Sequence, residues 1–455
     1  MIGTSISRWT MTYFAVALVW LFVGLLMIIA GAGYPLAAVG SPDTLVLVHV
    51  ICIGWLSLAM CGALFQFVPV LVAQPLFSGK CELPALVLLS AGLIALTSGF
   101  LSLGGRLPPA PWSLPLGAIL LGSGFGIVIV NLGITALRRP TGPARFVLVG
   151  LASLAGAVGF GAIFTFALSG RAGSMGQLVL EAGIPLHAIA GLGGWLTLTA
   201  VGVSYRLLPM FLLSPDVDDR RSRITLIAGT LALVAAGFGG TISIWVGAET
   251  DAATSIAAVL AFISLCCYGR DLFMIFRDRK RKQLELSMWM ATLSLASLMA
   301  TASLIVVLLA TRTFVSHVGA VAFIAVFGWL SGLVLSKLYK IVAFLTWLET
   351  YGPVMGRVPT PRVQDLAVEG RASKWFVIYY VSAWSGTAML LNDQASAFRS
   401  AVVVMTIGVV GIVRELVRIR RLDDVPWPQR LPGGAVAPSL LFAKTERERQ
   451  DDYLH

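Results

Sequence analysis

Apolar residues run along this 455-residue chain in long stretches, with the polar residues gathered at their ends. The stretches fall at about 10–32, 44–73, 82–104, 113–137, 145–169, 178–212, 224–247, 252–276, 286–311, 314–349, 373–392 and 397–418, and a bilayer core asks about 20 such residues of a helix. The pattern predicts an all-α integral membrane protein of about twelve transmembrane helices, with no soluble domain of any size. The second, sixth and tenth helices, at about 30 to 36 residues, exceed what a bilayer requires and must tilt or project.

Two of these long helices share a sequence. GWLSLAMCGALFQFVPVL from Gly54 aligns without a gap to GWLTLTAVGVSYRLLPMF from Gly194, pairing Trp55 with Trp195, Gly62 with Gly202 and Pro69 with Pro209. In the tenth helix, HVGAVAF at His317 can be laid on HVICIGW at His49, but GWLSG at Gly328 offers a competing register displaced by six residues. His49, His187 and His317 recur four helices apart, near the outer ends of the three long helices. An internal repeat of this kind predicts a single transmembrane domain, 1–418, built from three four-helix repeats (about 10–137, 145–276 and 286–418) with pseudo-threefold symmetry. Beyond it, VPWPQRLPGG is turn-forming and AKTERERQDDYLH is charged, which predicts a flexible or peripheral cytoplasmic tail over 419–455 ending in a solvated His455.

Charge adds orientation. The net charge of +11 is concentrated in alternate loops: Arg138, Arg139 and Arg145; Arg220, Arg221 and Arg223; Arg277, Arg279, Lys280, Arg281 and Lys282. The intervening loops carry Asp43, Glu249, Asp251 and Asp393, with only Arg106, Arg171, Arg312 and Arg399 near them. Under the positive-inside rule both termini are cytoplasmic, as in a bacterial inner-membrane protein, and the basic charge points to the bilayer rather than to nucleic acid. The first span lacks a small-residue cleavage site and reads as a retained helix. The five cysteines form no CxxC or Cys–His pattern and read as apolar fillers. Lys337, Lys340 and Arg206 read as residues reaching for headgroups, and Gln66 and Asn131 as interhelical hydrogen-bonders.

An ionisable residue inside a membrane span is costly and is read first as functional. Neutral imidazole is also the commonest protein ligand of transition metals. On that basis His49 and His317 are the first candidates for metal ligation, and His187 divides evenly between ligand and structural roles. The plainer alternative is an imidazole bonded to a neighbouring helix.

Twelve helices in three quartets, with histidines at the outer ends of the second and tenth, resemble subunit I of the heme-copper oxidase superfamily, closest to cbb-type oxidases and nitric oxide reductases. That family carries a pattern of the form HxHxGxLGW in its tenth helix, followed by small residues, a Tyr and a Pro. Here His49 stands six residues before Trp55 and His187 eight before Trp195, with Tyr205, Leu208 and Pro209 continuing the likeness. The resemblance implies a low-spin heme b between His49 and His317, copper as a second metal, and a cytochrome or quinol as electron donor. It implies roles in electron transfer, or in nitric oxide or oxygen-related respiration or sensing.

The departures from the family matter as much. The seventh helix, ITLIAGTLALVAAGFGGTISIWVG, has no histidine pair for copper, and Val315 stands where the first of two tandem histidines on the tenth helix would be. Embedded carboxylates also look absent, since Glu181 falls at the outer mouth and Glu349 at the inner edge. These features argue against a complete oxygen-reducing centre, so the chain reads as a non-enzyme or, failing that, a respiratory oxidoreductase subunit. A second resemblance, to NnrS-type heme- and copper-containing membrane proteins, lacks their histidine-rich motifs. Two other classes stay open: a secondary transporter, and a copper- or heme-handling assembly factor using His49, Cys52 and Met60. The sequence does not determine the oligomeric state.

Overall fold

The computed structural model describes residues 7–433 and 435–443; most of the charged C-terminal run and His455 lie outside them. Among the described residues the chain is helical, with no strand longer than an isolated bridge between Met355 and Val358. The long helices are α1 (Thr10–Ala30), α2 (Pro42–Val72), α3 (Glu82–Leu103), α4 (Ser113–Leu137), α5 (Gly142–Leu168) and α6 (Ser174–Leu212). They continue as α7 (Asp219–Trp245), α8 (Asp251–Arg277), α9 (Leu286–Ala310), α10 (Phe314–Val354), α11 (Glu369–Leu391) and α12 (Ala395–Arg420). Eleven of them are long and apolar enough to cross a membrane; α11 matches a predicted span but is diluted by Tyr, Trp and Ser. This is a multi-pass membrane protein.

The boundaries follow from local chemistry. Ser41 caps α2 by accepting the Thr44 N–H, with Pro42 at the first helical position, and Thr141 caps α5 by accepting the Ala144 N–H. At 31, 39 and 41 residues, α2, α6 and α10 are the longest. At about 1.5 Å per residue a helix of α6's length spans roughly 58 Å, against about 30 Å of hydrocarbon. Both α2 and α6 end in a left-handed cap four residues after their matched prolines, Ala73 at φ 52° after Pro69 and Leu213 at φ 51° after Pro209. The gapless alignment of these two helices therefore extends to the backbone.

All three long helices also widen from α to π geometry along the way, at Val50–Ser57, Ile189–Leu198 and Ile324–Ser331. A π turn inserts one residue and shifts every later side chain around the axis. Each π segment contains the Gly-Trp-Leu triplet, and Trp55, Trp195 and Trp329 are all fully buried. This common feature selects the register through Gly328 and Trp329 for α10. Phe323 then stands where α2 has His49, Val321 where α6 has His187, and His317 lies six residues further toward the helix start.

The chain divides into two compact units. One, Gly40–Gln283, holds α2 to α8. In it α5 packs closely along α6, because Gly194 and Gly202 leave room for Ser153 and Phe146, where a Cβ would collide. The other unit takes in α1 and everything described from Leu284 on. There the Arg399 guanidinium donates to the Ile29 carbonyl, joining α12 to α1. At the end of α12, Arg371 bridges Glu415 and Asp424, Arg418 also holds Asp424, and Arg420 pairs with the buried Glu349 at 2.9 Å. The described part of the tail, expected to be flexible or peripheral, makes hydrogen bonds to the rest of this unit. Tyr351 donates to the Arg430 carbonyl, Arg420 to that of Ser439, and the Ala443 N–H to that of Arg8.

Candidate functional site

His49 sits in the last α-helical turn of α2 before the π segment, and His187 in the same position on α6. The two imidazoles are neighbours, with ring centroids 6.2 Å apart and planes 32° from parallel. Each ring turns its Nδ1 to a backbone carbonyl. His49 donates to Leu45 of its own helix at 2.7 Å, and His187 to Ala157 of α5 at 2.9 Å. A carbonyl can only accept, so each Nδ1 carries the proton and each Nε2 is left with its lone pair. Among the described residues neither Nε2 has a hydrogen-bond partner. This is the arrangement that metal-ligating histidines adopt, with the outer nitrogen fixed and the inner one bare.

Aromatic rings flank the pair: Phe100 of α3 stands 5.2 Å from His49, and Phe164 of α5 meets His187 edge-on at 5.5 Å. Below the histidines, the Trp195 indole donates to the Ser57 hydroxyl at 3.0 Å, and Ser57 in turn donates to the Cys52 carbonyl at 2.8 Å. That carbonyl lies five residues back, as suits a π turn. Ser57 follows His49 by eight residues and Trp195 follows His187 by eight, so one buried bond holds the two helices level. Cys52 itself contributes its carbonyl here.

His317 belongs to the other unit. Its backbone leaves helical geometry (φ −113°, ψ 16°), and its buried Nδ1 has no hydrogen-bond partner among the described residues. Val315 beside it is 86% exposed. No cluster of three or more His, Cys, Asp or Glu side chains forms among the described residues, so a metal at either place would need ligands from a cofactor or solvent.

Other residues singled out from the sequence have ordinary partners. Lys340 pairs with Glu285 at 2.5 Å, Arg206 lies near Asp216, and Asn131 holds the Ser78 backbone of a loop rather than another helix. Sequence reading passes over a buried carboxylate. Asp271 of α8, 1% exposed, accepts the Tyr205 hydroxyl at 2.8 Å, while its other oxygen meets only the Arg270 guanidinium at 3.6 Å. The Tyr205 oxygen in turn accepts from the Thr225 hydroxyl, and Ser204 bonds Tyr268 alongside.

No family model matches the chain, and no curated protein does. Among solved structures, it is similar to a heme-copper terminal oxidase determined as a dimer by cryo-electron microscopy, at a TM-score of 0.60. The match covers 98% of this chain and 88% of that one, at 14% sequence identity. The fold is heme-copper oxidase-like. Similarity at this identity speaks for the path of the helices and leaves the chemistry to the residues.

Proposed function

We propose that this protein binds heme b in the inner membrane and works in electron transfer, or in nitric oxide or oxygen-related respiration or sensing, without a complete oxygen-reducing centre. The observation that carries this reading is His49. It is an imidazole inside a membrane span, with Nδ1–H committed to Leu45 and Nε2 free, on the second helix of an oxidase-like fold. The family resemblance assigns a heme ligand to that helix, and the donor chemistry fits iron. Held by His49 and a second imidazole, a bound heme would supply one-electron transfer rather than binding of oxygen or nitric oxide.

The chain's own residues would fix the ring of His49 and pack Phe100 against it. With α7 free of histidine in sequence, and Val321 and Phe323 at the register-matched positions of α10, the histidine pair beside copper and the tandem histidines of an oxygen-reducing site have no counterpart in the sequence. The architecture proposed with this function is twelve spans in a threefold repeat of four, with both termini cytoplasmic and a cytochrome or quinol as electron donor. The shared π turns and the charge alternation support it.

The test is an optical and metal analysis of the full-length protein in detergent, as isolated and after incubation with hemin. A reduced low-spin heme b spectrum at near-stoichiometric heme, diminished by His49→Ala, is expected. Protein that takes up no heme under either condition would overturn the reading.

A further inference from the structure

Resting on the heme reading, we infer that the partner of His49 across the iron is His187 of α6, and not a histidine of α10. With metal–nitrogen distances of about 2 Å and an imidazole radius of about 1.2 Å, two rings on opposite sides of one metal have centroids about 6 Å apart. His49 and His187 stand at 6.2 Å. Both have already given Nδ1 to a backbone carbonyl, leaving the nitrogens that ligation needs.

Two further observations agree. The Trp195–Ser57 bond sits eight residues beyond each histidine, so the two helices meet at matched depth. The π register of α10, finally, offsets His317 by six residues from the position that matches His49, or roughly 9 Å along a helix. Assigning His317 as the partner depends on the other register. His317 keeps an orphaned nitrogen and a kinked backbone, with no counterpart on α2 or α6 at the matching position.

The test compares His49→Ala, His187→Ala, His187→Gly and His317→Ala in the full chain, each checked for a monodisperse elution profile and read by heme content and the reduced and ferric spectra. His187→Ala should lose heme or shift from low-spin to high-spin, as His49→Ala does, and His317→Ala should retain the wild-type spectrum. Added imidazole should restore the low-spin spectrum in His187→Gly, which a merely structural histidine would not allow. A wild-type spectrum in His187→Ala, or low-spin heme lost only in His49→Ala and His317→Ala, would overturn the pairing and leave heme binding standing. Absence of heme from the wild type would instead overturn the functional reading beneath it.

Discussion

The bond between Trp195 and Ser57 is where the geometry of the histidine pair can be tested without touching a histidine. Both residues are buried, at 2% and 4% exposure, and the indole N–H has no water to fall back on. Ser57→Ala removes the acceptor for Trp195 and the donor to the Cys52 carbonyl together. A buried donor left without a partner costs about 1–3 kcal/mol, so this variant should lose about 2–3 kcal/mol. Trp195→Phe takes away the donor and some ring volume, but leaves Ser57 bonded to Cys52. Its loss, about 2 kcal/mol, is mostly packing.

The double variant isolates the indole–hydroxyl term, because the Cys52 bond is lost in both variants that carry the Ser57→Ala substitution. With no orphaned donor remaining, it should be about 1 kcal/mol more stable than the sum of the single losses predicts. Reversible unfolding in mixed micelles, followed by helical circular dichroism, measures all four corners of the cycle. If the two losses add to within about 0.3–0.5 kcal/mol, the bond is absent or unimportant and the matched-depth argument fails.

Other outcomes follow from the same structure. Gly202→Ala drives a methyl into Phe146 and should destabilise by about 1–3 kcal/mol in the same assay, whereas Gly126→Ala, in open space on α4, should stay within about 0.5 kcal/mol. Ala73→Gly, at a left-handed cap, should be neutral or stabilising by up to about 1 kcal/mol, and a clear loss would contradict the cap geometry. Tyr205→Phe strands the buried Asp271 and should cost more than Asp271→Asn combined with Tyr205→Phe, a comparison read by thermal stability in detergent. Burial alone would raise the Asp424 carboxyl, but the hydrogen bonds from Arg371 and Arg418 outweigh it and hold it below the ordinary carboxylate value. A depressed carboxylate stabilises above its unfolded value near pH 4 and loses that contribution as pH falls through the folded value. Thermal stability should therefore fall on acidification below about pH 4 in the wild type and less steeply in Asp424→Asn.

The spans are legible in the sequence because membrane insertion selects on a one-dimensional property, apolar length, and the helix limits match the apolar stretches to within a few residues. The kinship of α2 and α6 is legible for a similar reason, since matched residues occupy matched places from Gly54 and Gly194 down to the prolines. The register of α10 is open at that level. Two short alignments compete there, and the feature that separates them is a change of backbone hydrogen bonding that leaves no mark on the polarity pattern. The recurring Gly-Trp-Leu triplet is the available signal, visible as a repeat without its meaning as a π turn. Asp271 escapes because it follows Arg270 near the end of an apolar helix, where a charged pair reads as an interface. Its true partner, Tyr205, lies on a helix 66 residues upstream.

The pairing of His49 with His187 belongs to a different kind of knowledge. Both histidines can be named as candidates, but their distances from the aligned tryptophans differ by two residues, eight for His187 against six for His49. In two regular helices of one register, that offset would place the rings on different faces and about 3 Å apart in height. The π turns that intervene in each helix change the phase between histidine and tryptophan, and the Trp195 indole reaches Ser57 rather than Trp55, restoring a matched offset of eight. His187 then takes its orientation from the Ala157 carbonyl of α5, while His49 takes its own from Leu45 within α2. One ring is thus set by local helix geometry and the other by the packing of α5 on α6, where Gly194 and Gly202 permit the approach. Residue spacing along either helix gives no access to that second constraint, which is why the sequence alone favours the pair that the family resemblance suggests over the pair that packing brings together.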